Sequence, residues 1–123
     1  MSNKTILVVD DSSSLRTAVR IALTGAGFDV VEAEDGKQGL SKLDGRKYHL
    51  VISDVNMPNL DGFGFVSSMK QLPAYKYTPV VMLTTETGED KKERGKAAGA
   101  KAWIIKPFLP PQLLNVVSKL VMP

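Results

Sequence analysis

A few side chains with chemistry to offer stand where apolar runs end. Asp10 and Asp11 follow the run Ile6-Leu7-Val8-Val9, Asp54 follows residues 50–53, Thr84 follows residues 79–83, and Lys106 follows Ala102-Trp103-Ile104-Ile105. Carboxylates gathered within a few ångströms disfavour joint ionisation, and a divalent cation relieves the repulsion. The chain has no cysteine and one histidine, His49, so thiolate and His-rich metal sites are excluded. Hard oxygen ligands alone favour Mg²⁺, which retains waters and takes phosphate oxygens. Lys106 adds a second cation and Thr84 a hydroxyl donor. A metal, an ammonium, a hydroxyl and backbone N–H groups together make a site for a phosphoryl group, whose transfer needs mainly positioning and charge neutralisation.

These residues meet only if the elements before them end on one edge. Short apolar runs alternate with longer amphipathic ones. Strands are expected at residues 5–9, 28–33, 50–53, 79–83 and 102–105. Continuous apolar strands of this kind are buried on both faces. Helices are expected between and after them. In residues 12–26, Leu15, Ala18, Val19, Ala22, Leu23 and Ala26 form one apolar stripe, capped by Asp11 or a nearby serine. Residues 35–43 read as a short helix weakened by internal glycines. After a loop at 54–62, Phe65, Val66, Met69 and Leu72 mark a third helix. Residues 88–98 are almost all charged, so that helix should face water and be easily perturbed. Residues 110–121 form the last helix, with Leu113, Leu114, Val117, Leu120 and Val121 facing inward.

Successive strand–helix units predict a parallel sheet covered on both faces. Open sheets of this class bind ligands at the carboxyl ends of their strands, where the acids, Thr84 and Lys106 fall. Polar residues at strand exits can simply mark where the chain meets water. That accounts for one or two such residues better than for this set.

The length of 123 residues fits one domain, residues 1–123. The absence of cysteine suits a reducing compartment. The run Ile6–Val9 is too short for a signal peptide or membrane span, so a cytoplasmic location without membrane contact is expected. The net charge is +3, but Lys91, Lys92, Arg94 and Lys96 are interleaved with Glu89, Asp90 and Glu93. That is a mixed solvated surface, and no nucleic-acid partner is expected.

The blocks Leu7-Val8-Val9-Asp10-Asp11-Ser12, Ser53-Asp54-Val55-Asn56-Met57-Pro58 with Asp61-Gly62, Leu83-Thr84 and Lys106-Pro107-Phe108 resemble the receiver domain of two-component response regulators, across essentially the whole chain. With no output domain, the chain looks like the chemotaxis CheY type. The resemblance implies a flavodoxin-like, doubly wound five-stranded sheet of order 2-1-3-4-5 with five helices. It implies Asp54 as phospho-acceptor. Asp11, Asp54 and the backbone carbonyl of Asn56 would hold Mg²⁺, with Asp10 acting through water. Lys106 would pair with phosphoryl oxygens across a cis Lys106–Pro107 bond. Thr84 would be drawn to the phosphoryl group and Trp103 would be the aromatic switch. Asn56 and Glu86 would tune hydrolysis of the acyl phosphate.

By the same resemblance the chain is no enzyme beyond its own phosphorylation and slow autodephosphorylation. Its partners would be a histidine kinase like CheA, a flagellar motor switch protein like FliM or another target, and a phosphatase. It would act as a monomer. The alternative is a phosphate sink or phosphorelay intermediate with no motor target. A phosphatase with an aspartyl nucleophile would want a second acid two residues after Asp54, where Asn56 stands. A flavin carrier would want an uncharged phosphate loop where Asp10 and Asp11 stand.

Overall fold

The computed structural model describes residues 4–85 and 89–121. In chain order its elements are β1 (Thr5–Val9), α1 (Ser13–Gly25), β2 (Asp29–Ala33), α2 (Gly36–Lys42), β3 (Leu50–Asp54), α3 (Gly62–Lys70), a 3-10 turn at Pro73–Tyr75, β4 (Val80–Thr84), α4 (Glu89–Ala98), β5 (Ala102–Ile105) and α5 (Pro110–Leu120). The strands form one sheet in the order β2-β1-β3-β4-β5, and every neighbouring pair is parallel. This is the flavodoxin-like, doubly wound arrangement that the resemblance implied.

The two-residue period of a strand divides the core. Ile6 and Val8 of β1, Leu50 and Ile52 of β3, and Val81 and Leu83 of β4 pack with Val19, Leu23, Leu113 and Val117 of α1 and α5. Leu7, Val9, Val51, Val80 and Met82 point the other way and pack with Phe63, Phe65, Val66 and Met69 of α3. Burial on both faces is why these strands read as unbroken apolar runs.

Helix starts follow local capping chemistry. Ser12 Oγ accepts from Leu15 N at 3.3 Å, Asp35 Oδ1 from Gln38 N at 2.8 Å and Asp61 Oδ1 from Gly64 N at 2.8 Å. Each satisfies a backbone donor that has no partner within its helix. The glycines that weaken α2 as a helix are explained by packing. A Cβ on Gly39 would lie 2.8 Å from Phe65 Cε1 and 3.2 Å from Val9 Cγ2, so α2 can sit this close to α3 and β1 only without side chains there.

Most boundaries shift by a residue from the sequence reading, and three of the differences have a clear cause. Asp54 and Thr84 are the last residues of β3 and β4, because pairing continues through Asp54↔Leu83 and Thr84↔Ile105. Leu72 lies beyond α3 and is 37% exposed, since the helix closes with Gln71 N donating to Ser68 O at 3.1 Å. The 3-10 turn then diverts the chain. The charged helix does form as α4, with Glu93, Arg94, Lys96 and Ala97 exposed. No helix among the described residues is long and apolar enough to cross a membrane.

Candidate functional site

The parallel register brings the strand tips to one edge, and the side chains there converge. Asp10 stands just past β1, Asp54 ends β3, Thr84 ends β4 and Lys106 stands just past β5. Carboxylate oxygens of Asp10, Asp11 and Asp54 all lie within 4.8 Å of one another. Asp10 and Thr84 are fully buried and Asp54 is 5% exposed, while Asp11 opens to solvent. Lys106 Nζ reaches across the edge to Asp10 Oδ2 at 3.0 Å and Asp54 Oδ1 at 3.1 Å.

Backbone groups complete the cradle. Val55 N donates to Asp54 Oδ1 at 2.9 Å, and Ser12 N donates to Asp10 Oδ1 at 2.8 Å. Asp10 therefore braces the turn into α1 and faces the carboxylate cluster at once, while Ser12 is the cap proper. Lys106 N donates to Thr84 O at 2.7 Å, which ties the β5 exit to the tip of β4. The Lys106–Pro107 peptide is cis, as the resemblance implied.

One ammonium serves two buried carboxylates, so the electrostatics are unbalanced. Burial, then the Asp10 charge, push the Asp54 carboxyl up to about 6 against the opposing pull of Lys106. For Lys106, burial acts downward, but hydrogen bonding to Asp10 and the charges of Asp10 and Asp54 outweigh it and hold the ammonium above its ordinary value. The donor set of three carboxylates with a surplus of negative charge fits a hard divalent cation.

Thr84 lies two residues beyond Met82, which pairs with Trp103, so strand periodicity puts Thr84 and Trp103 on the α3/α4 side of the sheet. Trp103 packs partly buried against the cluster containing Met69 and Met82. Its buried indole Nε1 has no hydrogen-bond partner, the one such side-chain atom among the described residues. Asn56 lies exposed in the loop two residues past Asp54. Glu86 falls outside the described residues.

Several supporting residues were not read from the sequence. Gly62 N donates to Val55 O at 2.8 Å, and a Cβ on Gly62 would collide with the Asp54 carbonyl and lie 2.9 Å from Val55 Cα. Asn59, with φ at 70°, donates from Nδ2 to Asp35 Oδ2 at 2.9 Å and tethers the loop after β3 to the cap of α2. Asp35 is held below the usual carboxylate range, first by the Gln38 backbone N–H and then by Asn59. Arg16 donates from Nη1 to Asp10 O at 2.6 Å. The Asp61-Gly62 pair was a visible signal for the first of these. Nothing local announced the others, because each depends on an approach made only in the folded chain. Beside Lys106, an apolar groove of about 460 Å³ opens between α1 and α5, floored by Leu15, Val19, Phe108 and Leu113.

Comparison with known proteins agrees with this architecture. The response regulator receiver domain family matches residues 6–118. The chain is 37% identical over 107 residues to the chemotaxis protein CheY1 of Helicobacter pylori, covering 85% of this chain and 86% of that protein. A crystal structure of the chemotaxis response regulator CheY4 of Vibrio cholerae superposes with a TM-score of 0.92 at 44% identity, over 97% of this chain and 99% of that one. The receiver domain of a Pseudomonas aeruginosa sensor histidine kinase, with a magnesium ion coordinated in its active site cleft, shares the fold. Its TM-score is 0.90 at 22% identity, over 98% of each chain.

Proposed function

The chain belongs to the response regulator receiver domain family, and on that premise we propose that it is a chemotaxis-type response regulator phosphorylated on Asp54 with Mg²⁺. The observation that carries the reading is the convergence of Asp10, Asp11 and Asp54 within 4.8 Å, with Lys106 bridging two of them.

Asp11 and Asp54 would hold the ion, Asp10 through a bound water, with the Asn56 carbonyl as a further oxygen ligand. Bound Mg²⁺ supplies the positive charge that lets the carboxylates and a phosphoryl group share one site. An Asp54 carboxylate oxygen attacks the phosphorus of a phosphohistidine. The new bond is O–P, the P–N bond breaks, and its electron pair returns to the imidazole of a kinase. With its carboxyl at about 6, Asp54 is already mostly ionised at neutral pH. Lys106 moves from pairing with carboxylates to pairing with phosphoryl oxygens, and the Thr84 hydroxyl donates to the same group. Water attacks the phosphorus of the acyl phosphate, the Asp54 O–P bond breaks, and inorganic phosphate leaves free Asp54; Asn56 and Glu86 tune the rate. The chain thus catalyses only its own phosphorylation and slow dephosphorylation.

The output face is α4, Trp103 and α5. Its target is a flagellar motor switch protein, its donor a histidine kinase, its antagonist a phosphatase, and its place of work the cytoplasm. The names and identities of the chemotaxis relatives support this assignment.

Incubation with a small acyl phosphate and Mg²⁺ is expected to label the protein to one phosphoryl group per chain. Chelation of the metal or Asp54→Asn is expected to abolish it. Stoichiometric labelling of the Asp54→Asn variant would move the acceptor elsewhere and end this reading.

A further inference from the structure

Arg16 occupies a position that helix physics does not explain. It lies in the opening turns of α1, where the helix dipole disfavours a cation. It is nonetheless held by two acceptors. Nη1 donates to the backbone carbonyl of Asp10 at 2.6 Å, and Nε pairs with Glu32 Oε1 of β2 at 3.3 Å. Its side chain is 16% exposed. The neighbouring Arg20 pairs with the same carboxylate at 3.5 Å but is 47% exposed.

The carbonyl that Arg16 grips belongs to the peptide joining the two acids of the cluster. A trans peptide is planar, so fixing that C=O fixes the plane and the direction in which Asp11 leaves the loop. Asp10 itself is pinned on its other side, with Asp10 N donating to Ala33 O at 3.1 Å and Ser12 N donating to its carboxylate. Asp11 is the solvent-open member of the cluster. The rigid fork of a guanidinium can hold the carbonyl and Glu32 together, which an ammonium cannot do with the same geometry.

We infer that Arg16 is a positioning residue for the cation site: anchored by Glu32 on β2, it locks the Asp10–Asp11 peptide so that the Asp11 carboxylate faces the metal. The inference rests on the Mg²⁺ reading above and goes beyond it by naming what sets the affinity. It touches neither metal nor phosphoryl group and acts only through the loop.

The test is a Mg²⁺ titration of the full chain, followed through the amide resonances of residues 10, 11 and 54. Residues that orient metal ligands typically govern about 10- to 100-fold in affinity. Arg16→Ala is expected to weaken Mg²⁺ binding about tenfold, Arg16→Lys to lie between it and the parent, and Arg20→Ala to stay within about twofold. Glu32→Gln keeps the side chain's shape, removes its charge and is expected to weaken binding about threefold. Arg16→Lys, which keeps the charge, serves if Arg16→Ala does not fold, since loss of the Glu32 charge alone would weaken Mg²⁺ binding. Loss of thermal stability in Arg16→Ala with unchanged Mg²⁺ affinity would make Arg16 a structural residue only and overturn the inference. Equal weakening by Arg20→Ala would also overturn it, since that would trace the effect to the Glu32 pair both arginines share and not to the carbonyl; loss of a cation's charge alone would strengthen Mg²⁺ binding. If the parent itself bound no Mg²⁺ at millimolar concentration, the metal reading would fall, and the inference with it.

Discussion

On the β1 flank of the carboxyl edge, Asp10 is gripped from every side. Its N–H donates to Ala33 O, its carbonyl accepts from Arg16, and its carboxylate oxygens accept from Ser12 N and Lys106 Nζ, at 2.6 to 3.1 Å. On the β4–β5 flank, α4 meets the body with few apolar groups. Glu93, Arg94, Lys96 and Ala97 face water, and the Arg94 guanidinium lies over the Phe63 ring at 4.3 Å. Beside it, the buried Trp103 indole N–H has no hydrogen-bond partner among the described residues. One flank is held as a binding site must be, before its ligand arrives. On the proposed reading, the other would be the flank that a phosphoryl group's few charge-assisted contacts re-pose. A switch needs both, because a ligand shifts an equilibrium only by its differential affinity for the two states.

The comparison can be broken most severely at Gly62. Its Cβ would drive into the Asp54 carbonyl and Val55, backbone that cannot swing aside. Gly62→Ala is expected to cost about 3 kcal/mol, the upper range for overpacking. It should also displace Asp54 and abolish labelling by an acyl phosphate. Urea unfolding gives the first number. If Gly62→Ala unfolds and labels like the parent, the cradle is more yielding than its contacts imply.

A smaller effect, of opposite sign, is expected at Asp54. Its folded carboxyl lies at about 6, above the ordinary 3.8, because burial and Asp10 disfavour its charge. A raised carboxyl favours the folded state fully below the unfolded value and loses that advantage as pH rises through the folded one. In chelator, the Asp54-linked stability should therefore fall between about pH 4 and pH 6. Above that window, Asp54→Asn should be more stable than the parent by about 1–2 kcal/mol, after discounting the shift for solvent screening. Below pH 4 the two should converge. Thermal unfolding across that range decides it, and a destabilised Asn variant at pH 7 would show that the Lys106 pair outweighs burial.

How much of this was legible depended on where each interaction lies along the chain. Asp10, Asp11, Asp54, Thr84 and Lys106 could be grouped because strand exits in a parallel sheet share an edge, and that rule needs only the apolar runs. Asp54 and Thr84 were placed one step outside their strands. A polar residue looks like an exit, whereas ladder pairing with Leu83 and Ile105 draws both inside. Arg16 and the Asn59–Asp35 tether stayed hidden, and of Gly62 only the Asp61-Gly62 pair showed, not its contact with the Asp54 carbonyl. Their partners are backbone groups or side chains brought near by packing, and no spacing rule encodes them. Leu72 went wrong for the opposite reason: it fits the helical period, but the chain turns first.

The smallest effect tests the loose flank itself. If the Arg94–Phe63 stack is a main restraint on α4, removing it should free that helix and nothing else. An exposed cation–π contact contributes about 0.5–1 kcal/mol, so α4 amides in Arg94→Gln should exchange roughly two- to fivefold faster. The amides of α1, whose Val19 and Leu23 lie in the opposite core layer, should be unchanged. Phe63→Leu keeps an apolar side chain and removes the ring face. If the stack is the cause, Phe63→Leu should speed α4 exchange similarly, and the double variant should add little to either. Additive effects would mean that the two residues restrain α4 independently. Uniform acceleration across α1 and α4 would mean that the flanks do not differ in the way their contacts suggest.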